Sequence, residues 1–250
     1  MKKLTITFCF FLLLAFQVKA QNLVVKANST IEIADNLIIV DTLILHENST
    51  LTFKSNLRTC QINCNTFIAK KGAKIIGNGG NGKNGFSGTT TGAAGEQGEN
   101  GTNGVNLQIK TNTFTYCDLV VDLRGGNGGN GGNGFKGKKG RNASCCTSSA
   151  GDGGTGGNGG TGGNGGKGGD VTIEFQQLNS LCGGTLTQSN FKVFGGELGI
   201  GGSPGEGGDG GNKANRCMPG CNFDRGEKGK SGTTGNNGIN GELGNVSINP

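Results

Sequence analysis

The stretch GGTGGNGGTGGNGGKGGD, residues 153–170, has glycine at two of every three positions, and no other feature limits the fold so severely. A segment with so few side chains cannot bury an apolar core of its own, and glycine loses more backbone entropy on ordering than any other residue. In isolation such a tract belongs to the compositions that stay disordered. A strict three-residue period is that of an extended polyproline-II-type helix, which has three edges. Neighbouring backbones can approach closely wherever an edge is glycine. Order then has to come from lateral N–H to O=C bonds and weak Cα–H contacts between runs, on a template supplied elsewhere in the chain.

The glycine tracts occur as three insertions, each in two halves: 79–88 with 92–104, 125–140 with 151–169, and 199–211 with 226–244. The halves are separated by TTT, by RNASCCTSSA and by a segment containing RCMPGCNFD, so each insertion reads as an out-and-back hairpin. Residues 153–169 leave one non-glycine residue per turn, which predicts two covered edges; 92–104 and 226–244 keep one glycine per turn and are predicted to lie outermost. The second insertion is thus expected between the other two. Collagen does not fit, because the only prolines are Pro204, Pro219 and Pro250 and the tracts double back. The triplets resemble the polyglycine-II bundles of known glycine-rich proteins. Among these are secreted bacterial collagen-like proteins, with similar local structure in the snow-flea antifreeze protein and phage tail-tip adhesins. The resemblance implies a rigid bundle with a structural or adhesive role, and ice binding as an alternative.

Outside the tracts the chain has strand chemistry, with β-branched runs, alternation and turn residues. ANSTIEI at 27–33, ENSTLTF at 47–53 and KGAKIIG at 71–77 line up, as do Thr42-Leu43-Ile44 with Thr66-Phe67-Ile68. Periods of this size mark a solenoid, in which one coil buries its apolar face only against the next. A short parallel β-helix is expected, with Ile31, Ile33, Leu43, Ile44, Leu51, Phe53, Ile68 and Ile75 inward. GVNLQI, GDVTI and GNVSI each follow a glycine run, whereas LVVDLRGG and FKVFGG each lead into one and resemble AKIIG. The insertions therefore leave from one corner of the coil. Strand spacing of about 4.8 Å would set successive hairpins one above another. The expected fold class is all-β, a solenoid with three stacked polyglycine-II hairpins forming a six-helix bundle and no α-helix outside the leader. Its divisions are a signal peptide at 1–20, coils at 21–76, hairpins at 77–104, 125–169 and 199–244, coils at 105–124 and 170–198, and a final strand at 245–250.

The leader MKKLTITFCFFLLLAFQVKA has a basic start and an apolar run too short to span a bilayer, which reads as a secretory signal. Secreted, cell-surface or periplasmic placement follows, with no membrane span. Without the leader's three lysines, 20 basic residues face 17 acidic ones, and this mild excess does not argue for nucleic acid. Eight cysteines remain, an even number that suggests disulfides in a secreted chain. Cys60, Cys64, Cys117 and Cys182 fall in the coils, and Cys145 and Cys146 at one hairpin tip are expected to cross-link to Cys217 and Cys221 at the next. Asn28, Asn48, Asn142 and Asn245 sit in N-x-S/T sequons.

No catalytic constellation, metal site or cofactor motif is evident: His46 is the single histidine, and Glu32, Asp35, Asp41 and Glu47 read as solvated strand residues or as the lining of a groove. The chain is expected to be non-enzymatic, with a cell-surface, matrix or glycan partner. The candidates for contacting that partner are Thr155, Asn158, Thr161, Asn164, Lys167, Phe86 and Phe135, and the two phenylalanines are also expected to stack between layers. Ice binding and a carbohydrate-binding or carbohydrate-degrading β-helix are the alternative readings.

Overall fold

A computed structural model describes residues 21–145, 147–183, 185–214 and 224–250. The leader and Cys146, Cys217 and Cys221 lie outside the described residues. The fold is all-β, with parallel strands in two sheets and no α-helix among the described residues. In chain order the strands are β1 (Asn22–Val25), β2 (Thr30–Ile33), β3 (Leu37–Leu45), β4 (Thr50–Phe53), β5 (Thr59–Ala69), β6 (Lys74–Ile76), β7 (Asn106–Tyr116), β8 (Val120–Asp122), β9 (Val171–Ser180), β10 (Phe191–Lys192) and β11 (Val246–Asn249). The chain alternates between sheets: one runs β1-β3-β5-β7-β9-β11 and the other β10-β8-β6-β4-β2. Each strand therefore lies beside the strand two places earlier.

The sequence repeats reappear as strand register. Ile31 faces Leu51, which faces Ile75, and Leu43 faces Phe67. One position recurs for a backbone reason: Asn28 and Asn48 hold φ of 54° and 53°, and Gly72 holds 71°. Asparagine and glycine are the residues that tolerate this left-handed turn. Asn48 donates through Nδ2 to Asn28 Oδ1 at 3.4 Å, and a Cβ on Gly72 would strike the Asn48 side chain.

The core between the sheets is a set of stacked columns. Ile62, Ile109 and Ile173 form one; Phe67 and Phe114 stack in another, with centroids 4.9 Å apart and planes 5° from parallel. Each fully buried side chain of this size contributes about 2–3 kcal/mol. Ile44 and Ile68 are not inward as expected; Leu43, Leu45, Phe67 and Ala69 are. Neighbouring residues on a strand face opposite ways, so Leu43 and Ile44 cannot share the core.

The glycine tracts leave after β6, β8 and β10 and return into β7, β9 and β11. Six runs result: run 1 (78–88), run 2 (92–104), run 3 (125–140), run 4 (151–169), run 5 (195–211) and run 6 (226–244). Lateral bonds join them every third residue. Run 1 donates to run 3 (Gly82 to Asn127 O, 2.8 Å) and run 3 to run 5 (Gly131 to Ile200 O, 2.8 Å). Run 2 donates to run 4 (Gly98 to Thr161 O, 2.9 Å) and run 4 to run 6 (Gly162 to Asn236 O, 2.8 Å). Cross-bonds complete the lattice, with Gly129 donating to Glu99 O, Gly163 to Gly129 O, Gly199 to Gly163 O and Gly238 to Gly199 O. Run 3 thus touches runs 1, 2, 4 and 5, and run 4 touches runs 2, 3, 5 and 6. The second insertion lies between the other two.

Sheet register extends into the tracts. Ile75 faces Val121, and farther out Asn127 N–H meets Asn81 Oδ1, both at a separation of 46. Val121 faces Phe191, and Glu197 N–H meets Asn127 Oδ1, both at a separation of 70. Leu107 faces Val171, and Asn164 N–H meets Asn100 Oδ1, both at 64. Strands stacked in register therefore deliver runs already aligned for bonding, which lowers the entropy of ordering them.

Candidate functional site: two side-chain faces and a groove

The lattice leaves two outer faces, one built by runs 1, 3 and 5 and the other by runs 2, 4 and 6. The third residue of each triplet occupies a face, and its own N–H points along it toward the run of the preceding layer. Asparagine meets that donor. Asn84 Oδ1 accepts from Asn130 N–H, and Asn130 Oδ1 accepts from Ile200 N–H, each at 2.8 Å. On the opposite face Asn100 accepts from Asn164 N–H at 2.7 Å and Asn164 from Ile239 N–H at 2.9 Å. A neutral bond of this kind contributes about 1 kcal/mol, and a donor left without one costs more.

The outermost runs are capped from within their own hairpins. In the first hairpin, Thr102 Oγ1 accepts Gly80 N–H at 2.7 Å and Glu99 Oε2 accepts Lys83 N–H at 3.3 Å. In the third, Asn240 Oδ1 accepts Leu198 N–H and Asn237 Oδ1 accepts Gly201 N–H, both at 2.9 Å, while Pro204 offers no donor at all. An open row of donors is a template for adding another chain; these side chains occupy part of it, while the N–H groups of Asn81, Asn84 and Ser87 on run 1 have no acceptor among the described residues.

The residues expected to meet a partner therefore divide. Asn158 and Asn164 are exposed but their Oδ1 atoms accept N–H groups of run 6, and Lys167 Nζ lies 3.5 Å from Asp170 Oδ2. Thr155 and Thr161 carry no side-chain hydrogen bond among the described residues. Phe86 and Phe135 are exposed, 77% and 42%, and are not stacked on each other. Phe86 lies level with Gly132, one turn short of Phe135. The ladder role of asparagine had a sequence signal, its recurrence at the third triplet position of neighbouring runs, but pairing it needed the register.

Cysteine placement corrects part of the sequence expectation. Cys117 and Cys182 are bonded, 65 residues apart, and enclose runs 3 and 4. Cys145 is also disulfide-bonded, to a partner outside the described residues. Cys60 and Cys64 are buried free thiols, not disulfide partners. Four residues along one extended strand separate them by roughly 13 Å, far beyond disulfide reach. Burial, and then the charge of Asp35, push the Cys60 thiol up to about 11. Burial likewise raises Cys64, against the opposing hydrogen bond from Thr111.

A groove of about 940 Å³ crosses the larger sheet where the strand ladders skip Asp41, Asn65, Asn112 and Gln176. Asn65 Nδ2 donates to Asp41 Oδ1 at 2.6 Å and Asn112 Nδ2 to Asn65 Oδ1 at 3.2 Å, so the side chains form a polar row. Beside it, Lys110 and Glu174 pair at 3.1 Å. The hydrogen bonds from Lys110 and Gln108 hold the Glu174 carboxyl below its usual range. Of the acids expected to line a groove, Asp41 does, whereas Glu32, Asp35 and Glu47 are not among its lining residues. His46 Nδ1 lies 3.3 Å from Lys70 Nζ and 3.6 Å from Glu47. No cluster of three or more His, Cys, Asp and Glu able to hold a metal occurs among the described residues, and no helix there is long and apolar enough to cross a membrane.

No family model, curated protein or solved structure matches the chain.

Proposed function

We propose that this is a secreted, non-enzymatic structural or adhesive protein, in which a short parallel β-helix carries three stacked polyglycine-II hairpins as a six-helix bundle. The observation that carries the reading is the lateral lattice itself, with N–H to O=C bonds every third residue from run 1 to run 6. A bundle so bonded is a stiff projection: residues 153–169 extend roughly 50 Å at about 3.1 Å per residue. Its faces are rows of polar side chains held at a constant spacing, suited to contact with a cell surface, a matrix or a glycan.

The test removes residues 195–244, the terminal layer, joining Phe194 to Asn245, whose positions are already adjacent through the Gly244 N–H to Val193 O bond of 2.8 Å. Cells making the shortened chain should secrete it and attach or hold matrix less well. Unchanged attachment with normal secretion would refute the reading. The amide-rich groove favours a second reading, carbohydrate binding along the sheet, because convergent amides and a carboxylate fit a polyhydroxylated chain. Asn65→Ala with Asn112→Ala should then abolish retardation in gels containing the bound neutral polysaccharide, and retention of binding would exclude the groove.

A further inference from the structure

Hairpin 1 is shorter than the layer beneath it, and the step it leaves is chemically specific. Along run 3, successive N–H groups of Gly126, Gly129, Gly132 and Phe135 donate to Thr102, Glu99, Glu96 and Ala93 of run 2. The next two donors in this series, Lys138 and Arg141, have no acceptor among the described residues. Along run 4, the carbonyls of Lys167, Asn164, Thr161 and Asn158 accept from run 2, and those of Thr155 and Asp152, next in order, accept nothing there. The lane that run 2 fills therefore continues past its start with donors on one side and acceptors on the other.

The floor of the empty lane is bare glycine backbone. A Cβ on Gly157 would collide with Ala93 of hairpin 1, whereas at Gly154 the nearest atom is Lys138 N at 3.1 Å and at Gly151 it is Arg141 N at 3.3 Å, both within the same hairpin. Phe135, Lys138 and Arg141 share one edge of run 3, one per turn, roughly 9 Å apart. All three are exposed, as is Lys139. Lys136 pairs with Asp209 at 3.2 Å, but Lys138, Lys139 and Arg141 have no ion pair among the described residues. The nearest acid on run 4, Asp152, turns its carboxylate to Glu227 N–H of run 6 at 2.8 Å. The step thus combines a half-exposed aromatic ring, cations at a regular spacing, and backbone donors and acceptors, all without hydrogen-bond or ion-pair partners among the described residues.

We infer that this step binds an acidic polysaccharide, with Lys138 and Arg141 holding successive carboxylate or sulfate groups and Phe135 packing on a sugar face. Charge complementarity selects an anion. Hydroxyl groups, which both donate and accept, match the mixed donors and acceptors of the lane better than a row of like groups would. An acid recurring once per disaccharide matches the one-per-turn recurrence of the cations. An acidic peptide fits less well, because two turns of lane give it few backbone bonds to offset its ordering entropy.

The inference rests on the adhesive reading, and the full mature chain tests it with hyaluronan, which carries one carboxylate per disaccharide, immobilised on a sensor surface. Binding should fall about tenfold in Lys138→Gln/Arg141→Gln and change less than about twofold in Lys26→Gln/Lys54→Gln, which removes equal charge from the strand region instead of the bundle. Circular dichroism should be unchanged in both. Three results would each overturn it: hyaluronan bound no better than neutral dextran, equal losses in the two double variants, or poly-glutamate or phosphatidylglycerol vesicles bound as tightly with the same dependence on Lys138 and Arg141. If hyaluronan binding fails while removal of residues 195–244 still lowers attachment, the adhesive reading stands without this ligand; the converse pair of results rejects adhesion alone.

Discussion

Gly163→Ala sets the lateral lattice against a free-standing loop. Gly163 donates to Gly129 O and accepts from Gly199 N–H, both at 2.8 Å, and an added Cβ falls on the Glu99 carbonyl group of run 2. Run 2 must move away, which stretches the Gly98–Thr161 bond of 2.9 Å and the Gly129–Glu99 bond of 2.8 Å. Two weakened backbone bonds at about 1 kcal/mol each, with overpacking of about 1–3 kcal/mol, exceed the gain of roughly 0.4–1 kcal/mol from stiffening the unfolded chain. The net loss is about 3 kcal/mol, or about 6–12 °C in Tm for a chain of this size. Gly154→Ala is the matched control, the same change in the same run, where the atoms nearest the added methyl belong to Lys138, the closest at 3.1 Å, against a direct overlap with a carbonyl at Gly163. It should shift Tm by less than about 2 °C. Thermal melts followed by circular dichroism with disulfides intact decide the matter. If the two variants melt together, run 2 does not lie against run 4 as the lattice requires.

Replacing Cys117 and Cys182 by serine opens a loop of 65 residues; chain entropy assigns that closure about 4 kcal/mol, so Tm should drop by roughly 10 °C. Asn130→Ala leaves Ile200 N–H without its 2.8 Å acceptor and should cost about 1 kcal/mol in urea melts, whereas Thr155→Ala on the other face should be neutral. Cys60, its pKa raised to about 11, stays protonated at neutral pH; a thiol reagent should label it only after unfolding. Because this folded pKa lies above the unfolded one, the associated stability is complete at neutral pH and is lost as pH rises through about 11, a loss that Cys60→Ala should remove from the alkaline limb. Glu174 behaves oppositely: its lowered pKa gives stability present above the usual carboxylate range and lost in acid, and Lys110→Gln should move its NMR titration upward.

Much of the architecture was legible because its signals are local. Triplet glycine marks where backbones touch, and the count of glycine edges places run 4 inside and run 6 outside. The N-S-T and K-G-A repeats marked equivalent turns, since only a few residue types accept the left-handed conformation at Asn28, Asn48 and Gly72. Other positions misled. Ile44 and Ile68 are as apolar as their neighbours, and only pleat direction shows that they face outward. Cys60 and Cys64 look like half of a disulfide framework until their shared strand separates them.

The sequence by itself determined that this chain has strands in repeats and glycine runs that cannot order alone, because period and side-chain size act residue by residue. Tertiary structure decided everything that depends on offset between distant segments. Separations of 46, 70 and 64 residues, set where the sheets pair, decide which asparagine reaches which N–H. They also decide that hairpin 1 ends short of Lys138 and Arg141, whose N–H groups meet no acceptor among the described residues. No local pattern encodes such offsets, because they follow from how segments of unequal length come to pair in one register.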